Sequence, residues 1–263
     1  MSSIEFSVAL KTAELGSVKL ANLISDTGNF KYRYNSKNNK DLSGYNVLRH
    51  CGTVWSMLDV FLETNNEYVL NSAKNAVTFL FNNYIKFYKN YSDICVSENN
   101  EIKLGGNGLA VLALSELYKI EKNDILIETA HKISKFIIKE KENEGDFIHK
   151  RCFKTGNIYS FKSEYYVGEA LFALLACYEI TKDTSLLNFV VEVERKLYKQ
   201  NYGVKEQSHW MLYALQKLQK FYPAPFVYNH AEKIAKEIIE KPLYLNYKRS
   251  TPIACRNEGL ITF

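Results

Sequence analysis

Four segments of this chain carry the same apolar stripe, and no other feature restricts the fold so strongly. The stripes are Val69, Ala73, Ala76 and Leu80; Leu126, Ala130, Ile133 and Ile137; Leu186, Val190, Val193 and Leu197; and Val227, Ala231, Ile234 and Ile238. Each has the spacing 0, 4, 7, 11, which puts its side chains on one face of an α-helix. Each striped segment follows one that is apolar over most of its circumference: Val47–Leu62, Leu109–Ile120, Leu171–Ile180 and Trp210–Phe221. A helix without a wide polar face has to be buried on most sides. The chain therefore reads as helical hairpins, each with one inner and one outer member.

The inner-to-outer connections are short and carry capping residues: Thr64-Asn65-Asn66-Glu67, Lys122-Asn123-Asp124, Thr181-Lys182-Asp183-Thr184 and Tyr222-Pro223-Ala224-Pro225. The returns are longer and irregular: Tyr88–Gly106, Glu142–Val167, Asn201–His209 and Pro242–Cys255. Long loops gathered at one end are where a site is usually built. Helical repeats form open solenoids or closed rings. Largely apolar inner helices fit the inner wall of a closed double ring, so a ring is expected. A weaker helix is expected over Thr12–Ile24, interrupted by Gly16. A fifth inner helix begins at Ile253 and the sequence stops in mid-pattern at Phe263, which reads as a fragment of a longer toroid. The expected organisation is one domain over residues 1–263, all-α, with short β-hairpin excursions in the loops at one end.

A longer repeat overlies the hairpins. Gly28–Leu58 and Gly145–Leu175 both run Gly-polar-Phe, then a mixed aromatic and basic strand, a polar turn, and a helix opening near a Gly. In the first copy, Phe30–Tyr34 has the alternation of a short strand.

Composition narrows the classes. Apolar content of 46% and charged content of 24% are ordinary globular values. The net charge of +5 is spread over helix faces rather than gathered in a stripe, which argues against a nucleic-acid partner. The five cysteines never form a close pair, so free thiols in a reducing, cytoplasmic setting are expected. No apolar run approaches membrane-spanning length. Nineteen Tyr and fifteen Phe suit a ring-stacking ligand but equally suit core filling.

Repeated αα-hairpins with buried inner helices, tight loops at one end and β-hairpins at the other resemble the six-hairpin (α/α)6 toroid superfamily. Glycoside hydrolases, unsaturated glucuronyl hydrolases, N-acylglucosamine epimerases and polysaccharide lyases share that architecture. The resemblance covers residues 45–263 and no signature motif selects one family. Lanthionine cyclases also use a toroid, but His50-Cys51-Gly52 matches only one piece of their zinc motifs and no Cys-His-Gly follows. The Asp-rich motif of terpene cyclases is absent too. The resemblance implies a saccharide substrate, no cofactor, and a site at the long-loop end where inner helices start. That placement collects Tyr45, Arg49 and His50; Asn107; Glu164, Tyr165, Tyr166 and Glu169; His209 and Trp210; Arg256 and Glu258.

Chemistry divides these residues. Glycoside hydrolysis needs two carboxyl groups, one protonated and one ionised, so Glu164 or Glu169 with Glu258 is the first expectation. Glu169 interrupts an apolar helix and is costly to bury unpaired. His50 and His209, beside Arg49 and Arg256, suit proton abstraction next to a carbonyl, the epimerase alternative. Tyr45, Arg49, Asn107, Tyr165, Tyr166, Trp210 and Arg256 are then substrate-binding. A non-catalytic module binding a glycan or protein is the third reading. His131 and His230, on outer helices, read as surface residues, and His149 as intermediate. A metal site joining His50, Cys51, His209 and Cys255 has no support from spacing. Cys51 is poorly placed as a nucleophile for His50, since adjacent helical residues point about 100° apart. Leu104-Gly105-Gly106-Asn107-Gly108 lacks the strand and Lys-Ser/Thr of a nucleotide loop, so it reads as a turn for close helix packing, with anion binding as the alternative.

Overall fold

The computed structural model describes residues 3–89, 93–142, 145–242, 246, 248 and 250–263. Parts of three expected return loops, at 90–92, 143–144 and 243–249, therefore lie outside or partly outside the described residues.

The helical hairpins form where the stripes place them. After α1 (Ser3–Ala21) come α2 (Val47–Thr64) and α3 (Glu67–Asn83), α4 (Leu104–Glu121) and α5 (Asp124–Lys139), α6 (Tyr166–Thr181) and α7 (Thr184–Gln200), α8 (His209–Phe221) and α9 (Pro225–Glu240), then α10 (Ser250–Thr262). All sixteen stripe residues are buried, none more than 6% exposed. Each aliphatic side chain so enclosed contributes about 1.5–3 kcal/mol. The inner helices differ as expected: every residue of α4 from Leu104 to Leu117 is buried.

The first three inner-to-outer turns share one device. Asn65, Lys122 and Lys182 end α2, α4 and α6 in the left-handed region (φ 53°, 54° and 56°). Their amides donate to Phe61 O, Tyr118 O and Tyr178 O, satisfying a terminal carbonyl. The next residue, Asn66, Asn123 or Asp183, caps the outer helix with its side chain. The fourth turn instead uses Pro225 at the helix start, where a missing amide costs nothing.

Inner helices pack in chain order, α2 on α4, α4 on α6, α6 on α8 and α8 on α10, while α1 lies on α2 and α3. The row is curved. Trp55 of α2 and Trp210 of α8 bring their rings within 5.9 Å although α4 and α6 lie between their helices. The concave side is thus an interior lined by α2, α6 and α8.

Strands occur in the returns. β1 (Tyr34–Asn35) pairs with β2 (Lys40–Asp41), and β3 (Ile85–Tyr88), β4 (Asp93–Glu98), β5 (Glu101–Lys103) and β6 (Lys150–Cys152) form an antiparallel sheet in that order. The expected strand Phe30–Tyr34 is corrected: only Tyr34 enters the β1 ladder, while Phe30 bridges back to Ile24. The reason is repeated 117 residues on, where Phe147 bridges Lys141. Lys31 N to Leu23 O and Ser25 N to Asn29 O in the first copy match Ile148 N to Glu140 O and Glu142 N to Asp146 O in the second. Gly28 (φ +92°) lies on Asn75 O of α3, and Gly145 (φ +90°) on Lys196 Cβ of α7. A side chain fits neither turn, which is why both copies begin with glycine.

Candidate functional site

Glycines set the height and closeness of the inner helices at the loop end. A Cβ on Gly106 would meet Leu48 of α2 at 3.3 Å, and one on Gly108 would meet the Glu169 carbonyl of α6 at 3.0 Å. On Gly168 it would lie 2.7 Å from the Trp210 backbone of α8. The cluster at 105–108 gives the expected close packing, but as the first turns of α4 (Leu104–Glu121) rather than as the expected turn before it. Gly259, deep in α10, lies against His209, the first residue of α8. Helix α10 consequently stands higher than its neighbours and brings Arg256 and Glu258 level with the start of α8.

The expected site residues fall into three groups. At α2, Phe30 N–H donates to the Tyr45 hydroxyl at 3.0 Å, and the Tyr45–His50 Nδ1 contact is 2.8 Å. His50 Nε2 lies 3.0 Å from Ala76 O. A carbonyl only accepts, so Nε2 carries the proton and Nδ1 accepts from Tyr45. Both nitrogens are committed, and burial keeps the ring neutral, lowering its pKa to about 4. His50 locks α2 to α3 rather than facing the interior, and the paired-histidine expectation loses this member. Arg49 lies outward over the Tyr32 ring at 5.7 Å. Asn107 is corrected likewise: its Oδ1 accepts from Val96 N (2.8 Å) and its Nδ2 donates to Lys103 O (2.8 Å), pinning β4 to α4 with no exposed atom.

At the α4–α6 contact lies Glu169, 5% exposed, with Oε2 lacking any hydrogen-bond partner. Burial pushes its carboxyl up to about 8. It is wedged beside Tyr166 against Gly105, and Tyr166 stacks on His149. Glu164 is exposed and lies in a different groove, with His149 and Tyr202.

The third group faces the interior. Trp55, Phe172 and Trp210 make ring contacts at 5.8, 5.9 and 6.4 Å, and Tyr213 joins Phe172 (5.9 Å) and Trp210 (5.3 Å). His209 lies on this basin, between the rings of Tyr165 and Tyr213, each 5.7 Å away. Its Nδ1 is buried without a partner, and burial and the charge of Arg256 hold the imidazole neutral, its pKa lowered to about 4. Arg256 is held by Pro252 O and Glu206 O, both at 3.3 Å. Burial and a hydrogen bond to Glu258 raise the pKa of Tyr213.

Below the aromatic rings lie charges the sequence reading passed over. Asp59 of α2 is exposed at its surface, yet desolvation by the protein around it, with Glu116 beside it, pushes its carboxyl up to about 7. Lys119 pairs with Glu116 (2.7 Å), and Lys217 with Glu179 (2.7 Å) beneath Phe172. The signal was available: Asp59 and Glu116 break apolar inner helices as Glu169 does. One histidine expectation also changes. His230 is fully buried, its Nδ1 2.6 Å from Glu194 and its Nε2 2.9 Å from Tyr202 O, because it sits between α7 and α9 rather than on their outer face. His131 is half-exposed, 2.7 Å from Asp183.

Curved row, inner and outer helices and loop-end basin together define an (α/α) toroid. No family model matches the sequence, and no curated protein matches it. Among solved structures the chain resembles D-mannose isomerase (TM-score 0.71, 10% identity, 89% of this chain and 68% of that one). It also resembles cellobiose 2-epimerase from Spirochaeta thermophila (0.69, 12%, 91% and 73%). A third is a family 105 glycoside hydrolase of C. acetobutylicum (0.65, 15%, 90% and 73%). At these identities the shared property is the fold. The chain spans about two thirds to three quarters of their lengths. Among the described residues no helix is long and apolar enough to cross a membrane, and no cluster of ligating side chains could hold a metal ion.

Proposed function

We propose that the protein is a carbohydrate-active enzyme that holds a saccharide in the basin of Trp55, Phe172, Trp210 and Tyr213. Rings of this kind present apolar faces to a sugar while polar groups at the edge fix its orientation. The observation that carries the reading is His209. Of the five histidines it is the one with a buried nitrogen lacking a partner; His50, His149 and His230 use both nitrogens and His131 is bound to Asp183. A neutral imidazole is the form a base needs. It would take the proton from the carbon beside the carbonyl of an open-chain sugar. Arg256 would then stabilise charge on that oxygen, and the exposed Glu258, which accepts from Tyr213, would relay a proton from solvent to the carbon while His209 releases the one it took. The reaction is thus isomerisation or epimerisation.

Hydrolysis is the second reading, favoured by the carboxyl pair of Asp59 and Glu258 near the interior. Asp59, with a pKa of about 7, carries a proton near neutrality and suits an acid, and Glu258 suits the base. One experiment separates the two. The protein is incubated with free aldoses and with glycosides in deuterated water. Isomerisation or epimerisation exchanges the C2 hydrogen for solvent deuterium and is lost in His209→Asn, by about a hundredfold or more. Hydrolysis leaves C2 unlabelled and is lost in Asp59→Asn and Glu258→Gln. Undiminished C2 exchange in His209→Asn would sink the first mechanism. No turnover of any sugar, with binding intact, would leave a non-catalytic glycan-binding module.

A further inference from the structure

Beside the basin runs a second concavity, a groove of about 670 Å³. That lies within the range of about 300–1,000 Å³ common to small-molecule sites. One wall is the approach to α6. There Asp146 is fixed by His149 (3.1 Å), Phe147 N (2.7 Å) and Lys162 (2.6 Å). The other wall is the loop from Asn201 to Glu206. His230 holds its Tyr202 carbonyl at 2.9 Å, Lys233 its Asn201 side chain at 2.7 Å, and Arg256 its Glu206 carbonyl at 3.3 Å. Both walls are therefore set before any ligand arrives.

The groove's chemistry differs from its framework. Tyr202 is half-buried in it, and after burial itself the nearby charges of Asp146, Glu206 and Glu164 further raise its pKa. The side chains of Glu164, Lys205 and Glu206 line it and make no hydrogen bond to the protein among the described residues. Two uncommitted carboxylates beside the single uncommitted ammonium of Lys205 leave the free charge of the groove net negative, which disfavours an anion, and would leave an apolar ligand facing charge. They suit a neutral polyhydroxyl chain, whose hydroxyls donate to carboxylates and whose ring faces lie on an aromatic side chain. The groove also abuts the basin: Glu164 precedes Tyr165, whose ring meets His209, and Arg256 joins the Glu206 carbonyl to the basin's edge.

We infer that this groove is a saccharide-binding site for the distal units of a neutral oligosaccharide whose terminal unit occupies the basin, with Tyr202 as its stacking ring and Glu164 and Glu206 as hydroxyl acceptors. The inference rests on the basin reading above. It makes the preferred ligand an oligosaccharide rather than a free monosaccharide.

Both tryptophans lie in the basin, so their fluorescence reports occupancy there, while calorimetry reports total affinity. The probes are neutral gluco- and manno-oligosaccharides of increasing length, starting from the monosaccharide, bound to the His209→Asn protein so that turnover does not interfere. Affinity should tighten by about tenfold or more between the monosaccharide and the trisaccharide. Tyr202→Ala and the exposed Glu164→Gln should remove most of that gain and leave the monosaccharide Kd unchanged. Tyr202→Phe should keep most of it. Equal affinity for all lengths, or variants that weaken every length equally, would overturn the groove while leaving the basin standing. If no saccharide of any length changes fluorescence or heat, the basin reading falls and the groove with it.

Discussion

Gly168→Ala tests whether the closeness of α6 and α8 is what shapes the basin. The added Cβ would lie 2.7 Å from both the Cβ and the carbonyl carbon of Trp210 and 2.8 Å from Met211 N. Ordinary carbon contacts need about 3.5–4.0 Å, so the helices must part by about 0.8 Å. Overpacking typically costs about 1–3 kcal/mol, and backbone contacts, which cannot rotate away, place this site in the upper half. Replacing glycine by alanine inside a helix returns about 1 kcal/mol. The net loss is therefore about 1–2 kcal/mol, or several degrees of Tm in a chain of this size. Gly16→Ala is the control. It lies inside α1 with nothing within 4 Å of the new atom, so the propensity gain of about 0.5–1 kcal/mol stands unopposed. Urea denaturation of both variants gives the signs directly, and tryptophan emission reports whether Trp210 has moved. Equal or greater stability of Gly168→Ala would refute the close-packing argument.

His50→Ala should lower stability by about 2 kcal/mol, because it strands the Tyr45 hydroxyl and the Ala76 carbonyl; turnover per folded molecule should be retained, as read by kcat at a temperature where the variant remains folded. Glu169 has a folded pKa raised from 4.5 to about 8, so between those values the folded protein binds more protons than the unfolded chain and stability falls as pH rises. Glu169→Gln should flatten that slope, measured as the urea midpoint from pH 5 to 8; an unchanged slope would place its origin elsewhere. His209 has a pKa lowered to about 4, so its base form persists and activity that needs it should hold down to about pH 5 before the acid limb begins. An acid limb centred near an ordinary histidine value would contradict its burial. Asn107→Ala should loosen β4 from α4, costing about 1–3 kcal/mol, with monosaccharide affinity unchanged by calorimetry.

The hairpins were legible because helix period and burial are properties of the sequence pattern itself. The tight turns were legible too, since a cap needs a particular side chain at a particular place. The site was less so. His50 and His209 look alike in sequence, each at an inner-helix start, but Tyr45 and Ala76 take up both nitrogens of one, while Nδ1 of the other stays without a partner. Asn107 looks like a ligand-binding amide until β4 folds back onto it. Glu164 and Glu169 are five residues apart, yet one is in an open groove and the other in a helix interface. Asp59 could have been found, since a charge within an apolar inner helix is conspicuous, but its meaning depends on Glu116 from another hairpin.

The sequence by itself determined the four helical hairpins, though not the bounds of α1 (Ser3–Ala21 against the expected Thr12–Ile24), which face each hairpin helix buries, and that two stretches 117 residues apart turn in the same way. Those are local properties, fixed by periodicity, caps and the left-handed turns that glycine alone takes easily. Only the tertiary structure decided which polar groups were already satisfied and which remained for a ligand. That depends on partners supplied by distant hairpins, and on the curvature that brings Trp55 of α2 to Trp210 of α8 across two intervening helices.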